Sequence, residues 1–366
     1  MTENRTEFTI PKKYKAVVYD QPGKLSTKVV ELDVPEPGHG EVLINLTHSG
    51  VCHSDYAVMT HSWRGILEPP PPNQVGGHEG VGHIVKLGPG TESSGLKIGD
   101  RVGVKWMSRA CLSCLPCISD TDGLCFNQKV SGYTTPGTFQ QYVIGPANYV
   151  IRIPDGLSSP DAAPMLCAGL TVYAALKRSK AQPGQWMVIT GAGGGLGHLA
   201  VQLASRGMGL RVIGTDFGSK EEVVKASGAE HFVDITKFDG DDLVGHVRSL
   251  TGGIGAHAVL ACTSSNADYA QALRFLRFNG TLVCVGLPEG DLVPISSAAP
   301  SELIVNQWNI VGSMVGNRRE AAETLEFAAR GIVKPHYHIE KMENLTSVFE
   351  RMQRRELVGR VVLDLS

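Results

Sequence analysis

The chain changes texture near its middle. Before Cys167, short runs rich in β-branched and apolar residues are bounded by Gly and Pro. Lys15–Tyr19, Glu41–Leu46, Gly80–Leu87 and Gln140–Ile144 therefore predict strands. The run Pro69–Pro72 can enter neither a regular helix nor a central strand, and predicts a stiff surface loop. After Cys167, apolar runs alternate with amphipathic ones. Strands are predicted at Trp186–Thr190, Leu210–Thr215, His231–Asp234, Ala256–Ala261 and Thr281–Val285. Helices are predicted between them at His198–Arg206, Lys220–Ser227, Asp241–Leu250 and Ala267–Phe278. Such alternation signals parallel βαβ units and a doubly wound sheet. Asn309–Val315 is a candidate sixth strand. From Arg318 onward the pattern gives a helix, a linker rich in His and Pro, a second helix and a final strand, Arg360–Leu365. No internal repeat or low-complexity segment is present.

Composition narrows the class. A chain of 366 residues is expected to hold about two domains. With 42% hydrophobic and 19% charged residues it has an ordinary globular make-up. The net charge of -2 gives no basic surplus for nucleic acid or a membrane surface. No apolar run approaches the ~18 residues of a spanning helix. Met1–Lys15 is polar and mixed in charge, without the apolar core of a signal or the Arg-rich character of a transit peptide. A cytoplasmic location is the expectation. In a reducing compartment, closely spaced cysteines are read as metal ligands before disulfides.

Two cysteine patterns carry the chemistry. Cys111, Cys114, Cys117 and Cys125 are spaced C-x2-C-x2-C-x7-C. Four thiolates with nothing spare suit a closed, tetrahedral structural zinc site. A disulfide or a redox-active thiol pair is the alternative there. The cluster is expected to pin a loop without touching substrate. Cys52, His78 and Cys167 form a dispersed set, in Gly-Val-Cys-His-Ser-Asp, Gly-Gly-His-Glu-Gly and Leu-Cys-Ala-Gly. Two thiolates and an imidazole would leave a fourth metal position open, as a catalytic zinc requires. Singly, each such residue is more often structural. Cys262 and Cys284 lie in apolar runs and read as small buried hydrophobes.

A third pattern follows the strand Trp186–Thr190. Gly191, Gly194 and Gly197 are spaced G-x-x-G-x-x-G, with Gly195 and Leu196 inside the turn, and a helix begins behind them. Glycines let backbone approach a pyrophosphate, and a helix N-terminus supplies free N–H groups. A flexible loop is the alternative. Asp216 ends the next strand, 19 residues beyond Gly197, where a carboxylate can bind ribose hydroxyls. It would repel a 2'-phosphate, so NAD is favoured over NADP.

These motifs, in this order, resemble the medium-chain zinc-dependent alcohol dehydrogenases, and most of all the tetrameric yeast and fungal ones. Ser131-Gly132-Tyr133, the segment Gly137–Tyr142, and Val358-Gly359-Arg360 extend the resemblance from about Lys15 to the C-terminus. It implies a mixed α/β fold: a GroES-like β-rich catalytic domain plus a Rossmann doubly wound parallel-sheet domain. The expected division is 1–167 catalytic with both zinc sites, 168–315 Rossmann, and 316–366 returning to the catalytic domain. It implies two zinc ions per subunit, one catalytic and one structural, with NAD as cofactor. A small-molecule alcohol or aldehyde is the implied substrate, and a homotetramer the implied assembly. By the same resemblance Cys52, His78 and Cys167 hold the catalytic zinc. Glu79 stands behind the metal, Asp55 orients the histidine ligand, and Ser54 takes the alcohol proton. His53 and Arg360 meet the cofactor pyrophosphate. Lys220 lies near the adenosine ribose, although its loop is one residue shorter. Val285, Gly286 and Leu287 flank the nicotinamide, and Trp63 and Trp106 narrow the substrate pocket.

Two departures stand out. The family's relay histidine, five residues after the first cysteine ligand, is Ala57 here, which predicts slower proton release at neutral pH or another exit path. His61 is a candidate substitute. The stretch Arg64–Leu67 and the proline run are longer than in the yeast enzyme by about three residues. The expected reaction is hydride transfer between a primary alcohol or aldehyde and NAD. The alternative is an aldehyde reductase of a fungal secondary-metabolite pathway acting on a larger or aromatic substrate. Competing readings are a metal-free quinone or enoyl reductase of the same superfamily, which would lack the ligand set, and a catalytically silent relative.

Overall fold

The computed structural model describes residues 8–366. The expectation for Met1–Lys15 therefore lies partly outside the described residues. The second half carries a six-stranded, all-parallel sheet. Its spatial order is His231–Asp234, Arg211–Asp216, Trp186–Thr190, Ala256–Ala261, Leu276–Cys284, Asn309–Gly312. The sequence order reverses between Trp186–Thr190 and Ala256–Ala261, and at such a switch point a crevice opens beyond the strand ends. The two central strands, Trp186–Thr190 and Ala256–Ala261, are buried almost throughout because helices cover both faces.

The first half is antiparallel in the main. The strand Glu41–Val51 pairs with Gly80–Leu87, with Tyr142–Pro146 and with the final strand Arg360–Asp364. Tyr337–Lys341 adds in parallel beyond Arg360–Asp364, so the His- and Pro-containing linker runs into a strand. Lys13–Tyr19 lies in a separate three-stranded sheet. Together these sheets and the six-stranded one give the GroES-like plus Rossmann architecture.

Three predicted features are corrected. The first half is not strands alone: His53–Thr60 is a helix. Cys52 caps it, and Asp55, three residues on, accepts the Cys52 backbone N–H at 2.9 Å. A second helical stretch runs from Ser159 to Ser179, with a π-helical turn at Met165–Gly169. The helix predicted at Ala267–Phe278 ends at Arg274, and a strand starts at Leu276. Leu276 is buried and pairs with Ala256, so sheet formation overrides helix continuation there.

Candidate active site

Three elements bring the dispersed set together. Cys52 ends the strand Glu41–Val51 and opens the helix His53–Thr60. His78 sits in the turn before the strand Gly80–Leu87. Cys167 lies in the π turn, a widened helix geometry often found where a side chain must be re-aimed at a functional site. Ligand atoms of Cys52, His78, Glu79 and Cys167 all lie within 4.8 Å of one another, and all four residues are buried. His78 Nε2 is 3.3 Å from Cys167 Sγ. Zinc–nitrogen and zinc–sulfur bonds of about 2.0 and 2.3 Å in a tetrahedron require a separation near 3.6 Å, so small adjustments admit the ion. Asp55 fixes the geometry. One of its oxygens binds the Cys52 N–H, and the other is 2.8 Å from His78 Nδ1, which leaves Nε2 facing the sulfurs. The hydrogen bond with Cys167 holds the Cys52 thiol well below its ordinary value and pushes Cys167 well above.

Glu79 is sealed behind this set. One carboxylate oxygen accepts from the buried Arg360 guanidinium, and Oε2 has no partner. Burial raises the Glu79 carboxyl and Arg360 pulls it back. Any side chain at Gly50 would place its Cβ 1.9 Å from Glu79 Oε2, so glycine is required there.

The set opens into a cavity of about 1220 Å³ between the two units. Cys52, Ser54, Trp63, Trp106, Cys167 and Arg360 are among its lining residues. Ser54 Oγ is 3.6 Å from Cys52 Sγ. The Trp106 ring packs edge-on against His78, with centroids 4.9 Å apart. Gly191, Gly195, Leu196 and Asp216 line it as well, and so do Val285, Gly286 and Leu287. Asp216 accepts the Gly193 and Phe217 N–H groups, each at 2.8 Å, which fixes its carboxylate beside the glycine turn. At Gly197 a Cβ would stand 2.0 Å from the Gly191 carbonyl, so the turn closes only around glycine. Two expected cofactor residues already have partners. Lys220 is off the cavity wall, and its Nζ donates to the Leu357 carbonyl at 2.6 Å. His53 is on the wall but lies 3.2 Å from the Glu289 carboxylate, a partner with no sequence signal.

Ala57 is buried inside its helix, off the cavity wall. His61 caps that helix in the left-handed region, with φ 52°, and its Nε2 is 3.0 Å from the Leu67 carbonyl. It closes the turn that carries Trp63.

The four-cysteine cluster forms a separate lobe. Sulfur–sulfur distances of 3.5 to 3.8 Å join Cys111, Cys114, Cys117 and Cys125. A zinc tetrathiolate with bonds of about 2.3 Å has edges near 3.8 Å, so the donors fit. The backbone N–H groups of Cys111, Cys114 and Asn127 point at these sulfurs. The cysteines do not line the cavity, yet the loop they pin does, through Thr121, Gly123 and Leu124. Cys262 and Cys284, expected as buried hydrophobes, are half-buried on the cavity wall.

Comparison with known proteins adds independent findings. Residues 38–155 match the family described as alcohol dehydrogenase GroES-like domain, and residues 195–330 match zinc-binding dehydrogenase. The chain is 68% identical over 362 residues to alcohol dehydrogenase 2 of Emericella nidulans, covering 98% of this chain and 99% of that one. It is 43% identical to an alcohol dehydrogenase of Schizosaccharomyces pombe, covering 98% and 100%. Among solved structures, acetophenone reductase from Geotrichum candidum in complex with NAD superposes with a TM-score of 0.85 at 28% identity, covering 98% of each chain.

Proposed function

The chain belongs to the medium-chain zinc-dependent alcohol dehydrogenases, and from that premise we propose how its residues divide the work. The reaction itself is hydride transfer between a primary alcohol or aldehyde and NAD, in a zinc-dependent enzyme. The relatives do not favour a specialised aldehyde reductase. Cys52, His78 and Cys167 are the catalytic zinc ligands in our reading. The observation that carries it is the convergence of these side chains, with Asp55 holding His78, beside the cavity that Cys52 and Cys167 line. Zinc held by Cys52, His78 and Cys167 would supply Lewis acidity to an alcohol oxygen, and NAD held at the Gly191–Gly197 turn and Asp216 would supply the hydride acceptor.

The chain's own groups do the rest. Ser54, beside Cys52 on the cavity wall, takes the alcohol proton. Trp63 and Trp106 orient the substrate and exclude water. Asp216 receives the ribose hydroxyls, and the turn Gly191–Gly197, with Arg360 against Gly195, receives the pyrophosphate. His53 and Lys220 assist the cofactor only if each releases its present partner. Glu79 and Arg360 neutralise each other behind the metal. Cys111, Cys114, Cys117 and Cys125 hold the structural zinc.

We take the domain limits 1–167, 168–315 and 316–366 as part of the same proposal. A homo-oligomer, tetrameric by resemblance, is supported by the edge strand Asn309–Gly312 and by the exposed Ile304 and Val305 beside it. Sedimentation tests it, and a single-subunit mass would overturn it. No helix among the described residues is long and apolar enough to cross a membrane. A cytoplasmic location is the matching proposal, and cell fractionation checks it.

The deciding experiment is NADH formation by the zinc-loaded enzyme across primary alcohols, with Cys167→Ala as control. Turnover in the native chain and its loss with one zinc in the variant supports the ligand assignment. Full turnover in the variant sinks it. In the same assay, Ala57→His is expected to raise turnover at neutral pH relative to its alkaline plateau. An unchanged profile in a folded variant removes the relay argument.

A further inference from the structure

The cleft does not end at the tryptophans. A second hollow of about 300 Å³ adjoins it. Ile66, Asn266, Leu287, Pro288 and Val293 line both spaces, and Asp291, Leu292 and Pro294 complete the smaller one. Its walls are apolar except for Asn266 and Asp291.

The wall is continuous from the metal-ligating set outward. Ile66 and Leu67 both donate their N–H to the Trp63 carbonyl, at 3.2 and 3.3 Å. That tight turn sets Trp63 inside, 8% exposed, and Ile66 outside, 44% exposed. Facing it is the segment from Leu287 to Pro294, which is fastened across the cleft. The Gly290 N–H donates to the Ser62 carbonyl at 3.0 Å, and Glu289 meets His53 at 3.2 Å. Leu292 and Val293 stay 73% and 55% exposed, apolar side chains that no contact of the fold explains.

We propose that this hollow is a subsite for the distal hydrocarbon of the substrate, so that the enzyme accepts unbranched primary alcohols of medium chain length, from hexanol to octanol, in addition to short ones. The inference rests on Cys52, His78 and Cys167 marking the reacting end. Trp63 and Trp106 line the same cavity as Cys52 and Cys167. Ile66 and Leu287 line both that cavity and the smaller hollow, so an unbranched tail passes between them into this annex. The continuity of these walls with the reacting end selects a substrate tail as occupant over a second copy of the chain.

The test is kcat/KM of the holoenzyme for ethanol, butanol, hexanol and octanol at saturating NAD, with isobutanol as the branched control. Each methylene buried against apolar walls is expected to raise kcat/KM roughly three- to fourfold between butanol and octanol. Leu292→Asp, which puts a carboxylate on the annex wall, is expected to lower the octanol-to-ethanol ratio roughly tenfold, and Leu292→Met to restore it. Calorimetry with octanamide and acetamide on the enzyme–NADH complex should show the same preference and the same loss. A native profile that is flat or falling beyond propanol overturns the proposal, and is what a second copy covering the hollow would produce. A ratio indifferent to Leu292→Asp also overturns it. Failure with ethanol as well would overturn the assignment of the reacting end.

Discussion

Asp55 holds a near and a distant group with one carboxylate: the Cys52 N–H, three residues back, and the His78 ring. Asp55→Asn keeps the shape but removes the charge that orients the imidazole. It should weaken zinc retention at the catalytic site, and activity with it, by about 10- to 100-fold, measured by chelator competition. Wild-type zinc affinity in the variant would deny Asp55 that role. His198 works differently. Its Nδ1–H donates to the Gly194 carbonyl at 2.8 Å, and its Nε2 accepts the His336 N–H at 3.1 Å. Both nitrogens are thereby committed in the neutral form, and burial pushes the ring's pKa down to about 3 from 6.5. The unfolded chain takes up a proton near pH 6.5 that the folded chain refuses. Stability from this group is therefore full above pH 6.5 and lost progressively as pH falls towards 3. By pH 5 the loss is about 2 kcal/mol. Thermal midpoints should fall more steeply between pH 7 and 5 in the native chain than in His198→Asn. Equal slopes would deny His198 this effect.

At the scale of elements, the four-cysteine lobe is a wall as well as a staple. It docks on the start of the helix Arg318–Ala329: Asn317 Nδ2 donates to the Asp120 carbonyl at 2.8 Å, and the Arg318 N–H to Asp122 at 3.2 Å. Beneath it, the buried Lys105 ammonium lies 4.0 Å from the centre of the Tyr149 ring. A short loop with so few apolar side chains inside needs the metal to stay folded. Cys117→Ser should cost one zinc per subunit, lower the thermal midpoint and raise KM for alcohol more than it lowers kcat. Metal analysis with kinetics checks this, and an unchanged KM would separate the lobe from the cavity. The same scale explains a missed helix. The Cys-x-x-Asp signal at Cys52 was readable as a capping pair, but the segment His53–Thr60 has no clear amphipathic stripe, since Asp55 to Met59 are all buried.

For the whole molecule, the last strand decides whether the first half can fold. Arg360–Asp364 lies between Glu41–Val51 and Tyr337–Lys341, inside the sheet, and Val361, Val362 and Leu363 are buried. Ending the chain at Leu357 would strip a central strand and also remove Arg360 from Glu79. That leaves a buried carboxylate without its countercharge, a loss on the order of 3–5 kcal/mol for the pair alone. The truncated chain should be insoluble or retain no catalytic zinc on expression. A folded, zinc-loaded product would contradict this account of the sheet.

The sequence alone determined what depends on local pattern. The alternation after Cys167, the glycine turn with Asp216, and the four-cysteine spacing each need only neighbours along the chain, so the parallel sheet and the lobe were legible. The dispersed ligands were legible through their flanking peptides and the resemblance these carry. Tertiary structure decided whatever joins distant segments. It paired Glu79 with Arg360 and His53 with Glu289. It turned Lys220 towards Leu357, packed Ala57 away from the cavity, and brought the cysteine lobe's loop to the cleft. Such contacts depend on burial and on which surfaces meet across the cleft, and no spacing in the sequence encodes them.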